Sequence, residues 1–451
     1  MGDEFKVGKE YRFHQAASKQ EYLDAVLGAE KMLRKKCVET GDGIYWQDVL
    51  QDEPDRAFYS GSAGVLYFYI KLYKALNRES DKKIIDGAVD YLVNTWKEFK
   101  VADMSSPLPE ADNGFYTGLV ALTIPLIEAY DIEADTARKE TIKAAVSAIT
   151  EEVLRRASTE DGKLFWRKNL AMFYDGGVVL QLLQVAEFLD DKALTEKVVE
   201  SGRYLADTAY KHKEGGLVYD GYNGGNPYVA PNFEFGSAGA GFTLLRLYEV
   251  SGDKAFLDKA ISCAEFLDKI SIRQKKGILI PYRYGGADKT IFYLGSCHGP
   301  AGTGKFFYKL YKVTKDEKYL RQLYSLYDGL EALGGPGKMS EGLWNCINLC
   351  CGAAGHVQVY VALYVSTKEE KWLELARKSA GILLGEKETT EDGAAYWEVA
   401  LDRVSPEVFT VPVGYYDGIA GIASALLQIY LVEEGKFDWK RLVDDPFDEK
   451  Q

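Results

Sequence analysis

Hydrophobic positions along this chain fall into two alternating kinds of segment. One is apolar nearly all round, as in Ile419 to Leu431. The other interleaves charged and apolar residues at three- and four-residue spacing, as in Ser18 to Val38, Arg138 to Arg156, Asp253 to Ile270 and Asp316 to Leu333. The second pattern predicts amphipathic helices with one face in solvent, and the first predicts helices enclosed by other helices. Short aromatic pieces with strand character follow most of the amphipathic segments: Gly43–Trp46, Lys163–Trp166, Gly216–Tyr219, Gly277–Ile280, Gly342–Asn345 and Ala394–Trp397.

A glycine turn, G-x-x-G, opens each apolar segment. Clear copies are Gly61 to Gly64, Gly236 to Gly239, Gly299 to Gly302, Gly352 to Gly355 and Gly418 to Gly421, with weaker ones at Phe115–Gly118 and Tyr174–Val179. Counted by the second glycine or its stand-in, the positions are 64, 118, 179, 239, 302, 355 and 421, a period of about 60 residues. Each unit therefore reads outer helix, short hairpin, glycine turn, inner helix. A helix pair cannot bury its apolar face alone, so the units must stack, and inner helices without a polar face require the stack to close. The expected fold is all-α, a seven-unit (α/α)7 toroid with inner and outer rings of helices and short β-hairpins between units, forming one domain over 1–451.

The repeat gives the cysteines a shared address. Cys297 stands two residues before Gly299, Cys350 two before Gly352, and Cys351 one before it. On neighbouring units these three thiols converge at one end of the ring. Zn²⁺ favours thiolates, and three protein ligands with an open fourth position is a catalytic arrangement. Tyr59, Ser60, Tyr174, Asp175, Glu234, Phe235, His298, Tyr416 and Asp417 line the same rim. Asp175 is either a helix cap or a catalytic carboxylate, and Asp417 reads as a cap. His298 is a fourth metal ligand, a general acid or base, or a packed ring, and a Cys₃His set would be closed and structural. Cys37 and Cys263 read as buried inert thiols on outer helices, and Cys346 as support for the site. His14 and His212 fall in polar segments with no partner visible in sequence, and His356, just after the second glycine, reads as a satisfied helical histidine rather than one that reaches the lumen.

Composition narrows the classes. A net charge of -13 argues against non-specific nucleic-acid binding, which needs a basic face. The N-terminus lacks the apolar core of a signal peptide, and no apolar run is long enough for an integral membrane segment, so a cytoplasmic location and reduced thiols are expected. Aromatics make up 13% of the chain, with 31 Tyr and 7 Trp, which suits either a ring-lined cavity or aromatic helix packing.

Together the seven glycine turns, Ser296-Cys297-His298-Gly299-Pro300-Ala301-Gly302 and Leu349-Cys350-Cys351-Gly352-Ala353-Ala354-Gly355 resemble the lanthionine synthetase C-like (LanC-like) family, in its Cys-Cys-Gly zinc-site variant. The resemblance runs from about Tyr59 to Leu431. It implies a toroid with a central Zn²⁺ on Cys297, Cys350 and Cys351, the last in place of a histidine. It also implies a cyclase that adds a cysteine thiolate to dehydroalanine or dehydrobutyrine, as in lantibiotic biosynthesis, on a dehydrated peptide or a small thiol, with a separate dehydratase as a possible partner. Asp175 matches the family's third-unit aspartate. Phe235 replaces the family's fourth-unit histidine and Tyr293 an arginine, leaving Asp175, His298 and Tyr293 as the catalytic candidates beside Glu234. Two other functions stay open: a zinc-stabilised peptide- or glutathione-binding protein without the acid/base step, and a toroidal carbohydrate-active enzyme, which would need two opposed carboxylates and no zinc.

Overall fold

In the computed structural model, residues 10–47, 53–99, 113–220, 228–285, 291–337, 346–400 and 407–451 are described. Among the described residues fourteen α-helices follow one another: α1 (Gln20–Lys36), α2 (Ser62–Leu76), α3 (Glu79–Thr95), α4 (Thr123–Ile132), α5 (Thr136–Arg155), α6 (Asp175–Leu189), α7 (Lys192–Ala206), α8 (Ser237–Ser251), α9 (Lys254–Ile270), α10 (Pro300–Thr314), α11 (Glu317–Ala332), α12 (Ala353–Thr367), α13 (Glu370–Glu386) and α14 (Ile419–Glu433). The even-numbered helices contact one another in sequence, and α14 returns to α2, so the inner ring is closed. Each inner helix carries the following outer helix, and α1 packs on α14. The first outer helix thereby joins the chain's beginning to its last unit.

The two rings differ as their sequences require. Helix α14 buries every residue except Tyr430 and Glu433, whereas α11 buries a stripe through Tyr319, Leu323, Leu326, Tyr327 and Leu330. Outer helices α5, α7, α9 and α11 start at Asp135, Asp191, Asp253 and Asp316, whose carboxylates accept first-turn amides, each such cap contributing about 1 kcal/mol.

Five antiparallel hairpins follow outer helices: Cys37–Thr40 with Gly43–Trp46, Ser158–Glu160 with Lys163–Phe165, Tyr210–Lys211 with Leu217–Val218, Ile272–Arg273 with Ile278–Leu279, and Glu388–Thr389 with Ala395–Tyr396. The piece Gly342–Asn345 lies outside the described residues. Hairpin aromatics latch back onto the preceding outer helix: the indoles of Trp46, Trp166 and Trp397 donate to the carbonyls of Leu33, Val153 and Leu383 at 2.9, 2.9 and 2.7 Å, and the Tyr219 hydroxyl to Ala206 at 2.8 Å. Much of the aromatic excess is thus structural. Gly277 shows how closely the hairpins approach the next outer helix: its φ is +80°, and a Cβ there would stand 2.2 Å from the Gly329 nitrogen. Cys37 opens a strand and is half-buried, a correction to its expected place inside the outer helix, because α1 stops at Lys36.

The C-terminal residues 436–451 pack against the inner ring. Lys71 Nζ donates to the Lys440 carbonyl at 3.0 Å, Lys305 Nζ to Asp444 at 3.0 Å, and Phe447 stacks on Tyr308 with centroids 4.5 Å apart. No helix among the described residues is long and apolar enough to cross a membrane.

Candidate metal centre

The turns that precede the inner helices are tied into a belt by backbone hydrogen bonds. Tyr59 N–H donates to the Tyr116 carbonyl (3.0 Å), Tyr416 to Tyr59 (2.9 Å), Cys350 to Tyr416 (2.9 Å), Ser296 to Cys350 (2.7 Å), Glu234 to Cys297 (3.1 Å) and Phe173 to Glu234 (2.7 Å). These residues define one address in all seven units: Tyr59, Tyr116, Phe173, Glu234, Cys297, Cys350 and Tyr416. All but Tyr59 are buried. The residues that follow them, Ser60, Thr117, Tyr174, Phe235, His298, Cys351 and Asp417, are all half-buried and form the mouth of the ring.

The belt corrects the register of two units. Gly118 precedes its inner segment as Gly61 precedes α2, so it is a first glycine rather than a second. In the third unit Phe173 carries the belt, which places Asp175 at the first-glycine position and Val178, not Val179, at the second. A side chain replaces a glycine there, and sequence spacing alone does not reveal it.

Cys297, Cys350 and Cys351 converge as expected. Cys351 Sγ lies 3.6 Å from Cys297 Sγ and 3.5 Å from Cys350 Sγ, and all three sulfurs are within 4.8 Å of one another. Tetrahedral zinc with Zn–S bonds of about 2.3 Å sets ligand sulfurs about 3.8 Å apart, so the donor set fits a zinc-sized ion with one position left over. Gly295 permits the approach: a Cβ there would sit 2.5 Å from the Cys350 oxygen and from the Cys351 Cα. Hydrogen bonds from Cys350 and Cys351 push the Cys297 thiol down to about 6 despite its burial, and the same contacts push Cys350 and Cys351 up.

The remaining candidates occupy distinct surroundings. His298 stacks on Phe235 with centroids 4.8 Å apart at 14°, and meets Tyr282 at 4.5 Å and Tyr293 at 5.4 Å. Tyr293 is itself buried against Tyr282 at 4.6 Å. Asp175 is fully buried, and its carboxylate accepts the backbone amides of Trp166, Arg167 and Lys168 at 3.0, 2.7 and 3.2 Å. It therefore clamps the end of a hairpin to the start of α6. Burial pushes its carboxyl up to about 7 against the pull of those amides. Glu234 is buried with Oε1 3.8 Å from Cys350 Sγ, and burial followed by the nearby thiol pushes its carboxyl well above the usual range. His356 contacts the Leu294 carbonyl through Nε2 at 2.8 Å, while its buried Nδ1 finds no partner among the described residues. Sequence reasoning missed Tyr282 and Arg283, whose guanidinium lies 4.6 Å over Tyr282 and 4.1 Å over Tyr228. They sit on a segment outside the repeat's turn, and the only hint was a basic residue within an aromatic run.

With this geometry in hand, the family model of lanthionine synthetase C-like protein matches residues 52–443. The chain belongs to the LanC-like family. Its fold agrees with that of a solved nisin cyclase, TM-score 0.60 at 12% identity, over 92% of this chain and 94% of that one. An alpha-1,2-mannosidase from Trichoderma reesei gives 0.55 at 12% identity over 92% and 93%. At such identities the likeness is one of fold, here the α/α toroid. No curated protein matches this LanC-like chain in a sequence search.

Proposed function

We propose that this LanC-like chain is a zinc-dependent enzyme that adds a thiol across the double bond of dehydroalanine or dehydrobutyrine to form a lanthionine-type thioether. The observation that carries this reading is the three-cysteine cluster, with tetrahedral spacing, at the mouth of a LanC-like ring. Bound to Cys297, Cys350 and Cys351, zinc would supply a thiolate at neutral pH. The aromatic mouth, with Tyr174 and Phe235, offers ring faces against which a flat unsaturated residue can lie. Addition forms a C–S bond at the β-carbon and moves the π pair toward the α-carbon. The thiol proton must then reach that carbon, and no redox partner is needed.

His298 is assigned the proton transfer, because it stands at the mouth beside Cys297 with its ring held by Phe235, Tyr282 and Tyr293. Tyr293 orients that imidazole. Asp175 is a positioning residue, since its carboxylate holds three backbone amides and thereby the turn that presents Tyr174. The substrate is a dehydrated peptide carrying its own cysteine, supplied by a separate dehydratase, or a small thiol with such a peptide. The test is incubation of a dehydrated cysteine-containing peptide with the chain. Loss of alkylatable thiol without a change in peptide mass is expected, faster than in buffer. Equal rates with and without protein, across several peptides and free thiols, would overturn catalysis.

A second reading, a zinc-stabilised peptide- or glutathione-binding protein, is favoured by one feature: buried Cys346 lies near enough to help raise the Cys351 thiol, although it is not among the sulfurs that lie within 4.8 Å of one another, and a fourth sulfur would close the site. Four sulfurs on the metal together with no thioether formation would establish it.

A further inference from the structure

Two of the three clustered sulfurs ride on one loop, Cys346 to Gly352, that leads into α12. In three other units a side chain at the start of the inner helix pins the preceding hairpin. Ser62 Oγ accepts the Trp46 amide at 3.1 Å, Ser237 Oγ accepts the Tyr219 amide at 3.3 Å, and Asp175 accepts the amides of residues 166–168. Helix α12 opens with Ala353, which offers no side-chain oxygen. Within the loop Asn348 Oδ1 accepts the Cys351 amide at 2.9 Å, and a Cβ on Gly352 would stand 2.0 Å from the Cys346 oxygen, so the loop's two ends lie against each other. That Cys346 oxygen accepts the hydroxyl of Tyr11 at 2.6 Å, from 335 positions away in the chain.

The segment that carries Tyr11 is seated on α13. Arg12 donates to the Glu386 carboxylate through its amide at 2.6 Å and its Nε at 3.1 Å, and the His14 amide donates to the Gly381 carbonyl at 2.9 Å. Two glycines let it lie directly on the helix: a Cβ at Gly385 would meet the Arg12 oxygen at 2.4 Å, and one at Gly381 the Phe13 ring at 2.5 Å. We infer that Tyr11 is a positioning residue for the metal centre, its hydroxyl holding the Cys346 carbonyl and thereby the loop that presents Cys350 and Cys351. This rests on the metal-binding half of the function proposed above. A site binds its ion more tightly when the backbone behind the ligands is already held, and outer partners of ligands are worth about tenfold or more in affinity. The fourth coordination position stays open, because Tyr11 donates to a backbone oxygen.

The test is Y11F in the full chain, which removes one hydroxyl and keeps the ring. Zinc affinity, read by competition with a chromophoric chelator, is expected to fall about tenfold. In the metal-free chain Cys351 is expected to alkylate about fivefold faster, the factor one hydrogen bond is worth, while buried Cys263 on α9 keeps its parent rate. G385A pushes the segment off α13 without altering Tyr11, and alanine suits a helix interior better than glycine, so α13 itself is not weakened. It is expected to move both readouts in the same direction. Parent-like zinc affinity and Cys351 alkylation in both variants, or an equal rise at Cys263, would overturn the inference while leaving the metal site in place. A parent chain that binds no zinc would overturn both it and the function above.

Discussion

The belt has two sides built on one backbone plan. On one, Tyr416, Tyr59, Tyr116 and Phe173 pack ring against ring, with Tyr59 stacked on Tyr416 at 5.4 Å, Tyr116 edge-on to Tyr416 at 5.1 Å and Tyr116 stacked on Phe173 at 6.0 Å. On the other, Glu234, Cys297 and Cys350 occupy the same address, with Cys351 above them in the mouth. The hydrogen bonds that tie neighbouring turns, from Phe173 round to Tyr116, run through main-chain atoms on both sides. Geometry is therefore supplied by the repeat, and chemistry by which side chain each unit places at a fixed point. The aromatic side should carry stability, and the sulfur side should carry metal.

The sharpest way to break this division is C350A. It should reduce bound zinc from about one per chain to near none, since a three-sulfur site loses a ligand, while circular dichroism stays that of the parent. Metal content by elemental analysis reads it; full zinc in C350A would end the assignment. On the opposite side, Y416A should lower the unfolding free energy by about 4 kcal/mol, as large buried aromatics do when truncated, and should keep its zinc. Denaturant titration with metal analysis checks both halves, and loss of zinc there would blur the two sides.

Asp175 gives a prediction in pH. Its folded value of about 7 lies above its ordinary 3.8, so its contribution is fully present below the ordinary value and is lost as pH rises through 7. The loss amounts to about 4 kcal/mol. D175N, which does not titrate, should flatten the fall in stability between pH 4.5 and 7.5, and equal slopes would remove the effect. The smallest expected change is H298Q, which should slow thioether formation about a hundredfold, or about 2.7 kcal/mol in the barrier, with zinc retained. Undiminished turnover would reassign the proton transfer.

Much of this was legible in the sequence, and the exceptions have physical causes. Regular glycine turns gave seven units, because close packing of inner helices tolerates little else, and the offset of Cys297 and Cys350 from their glycines placed them together. The third unit was out of phase by one residue because Asp175 replaces a glycine and clamps residues 166–168. Glu234 shares the cysteine offset, yet a carboxylate at a rim has many uses until its oxygen is found beside Cys350. The cage around His298 depends on Tyr282 and Arg283, which lie on a non-repeating segment, so no periodicity announces them. The excess aromatic content divided between this mouth and the indole latches on outer helices.

That the sulfur side of the belt holds a metal is the proposal on which the rest depends. Its most direct measurement is zinc analysis of the purified parent chain, paired with alkylation of its thiols before and after chelation. One zinc per chain is expected, with protection of Cys297, Cys350 and Cys351 that chelation removes. A chain without metal whose three cysteines alkylate equally before and after chelation would contradict it.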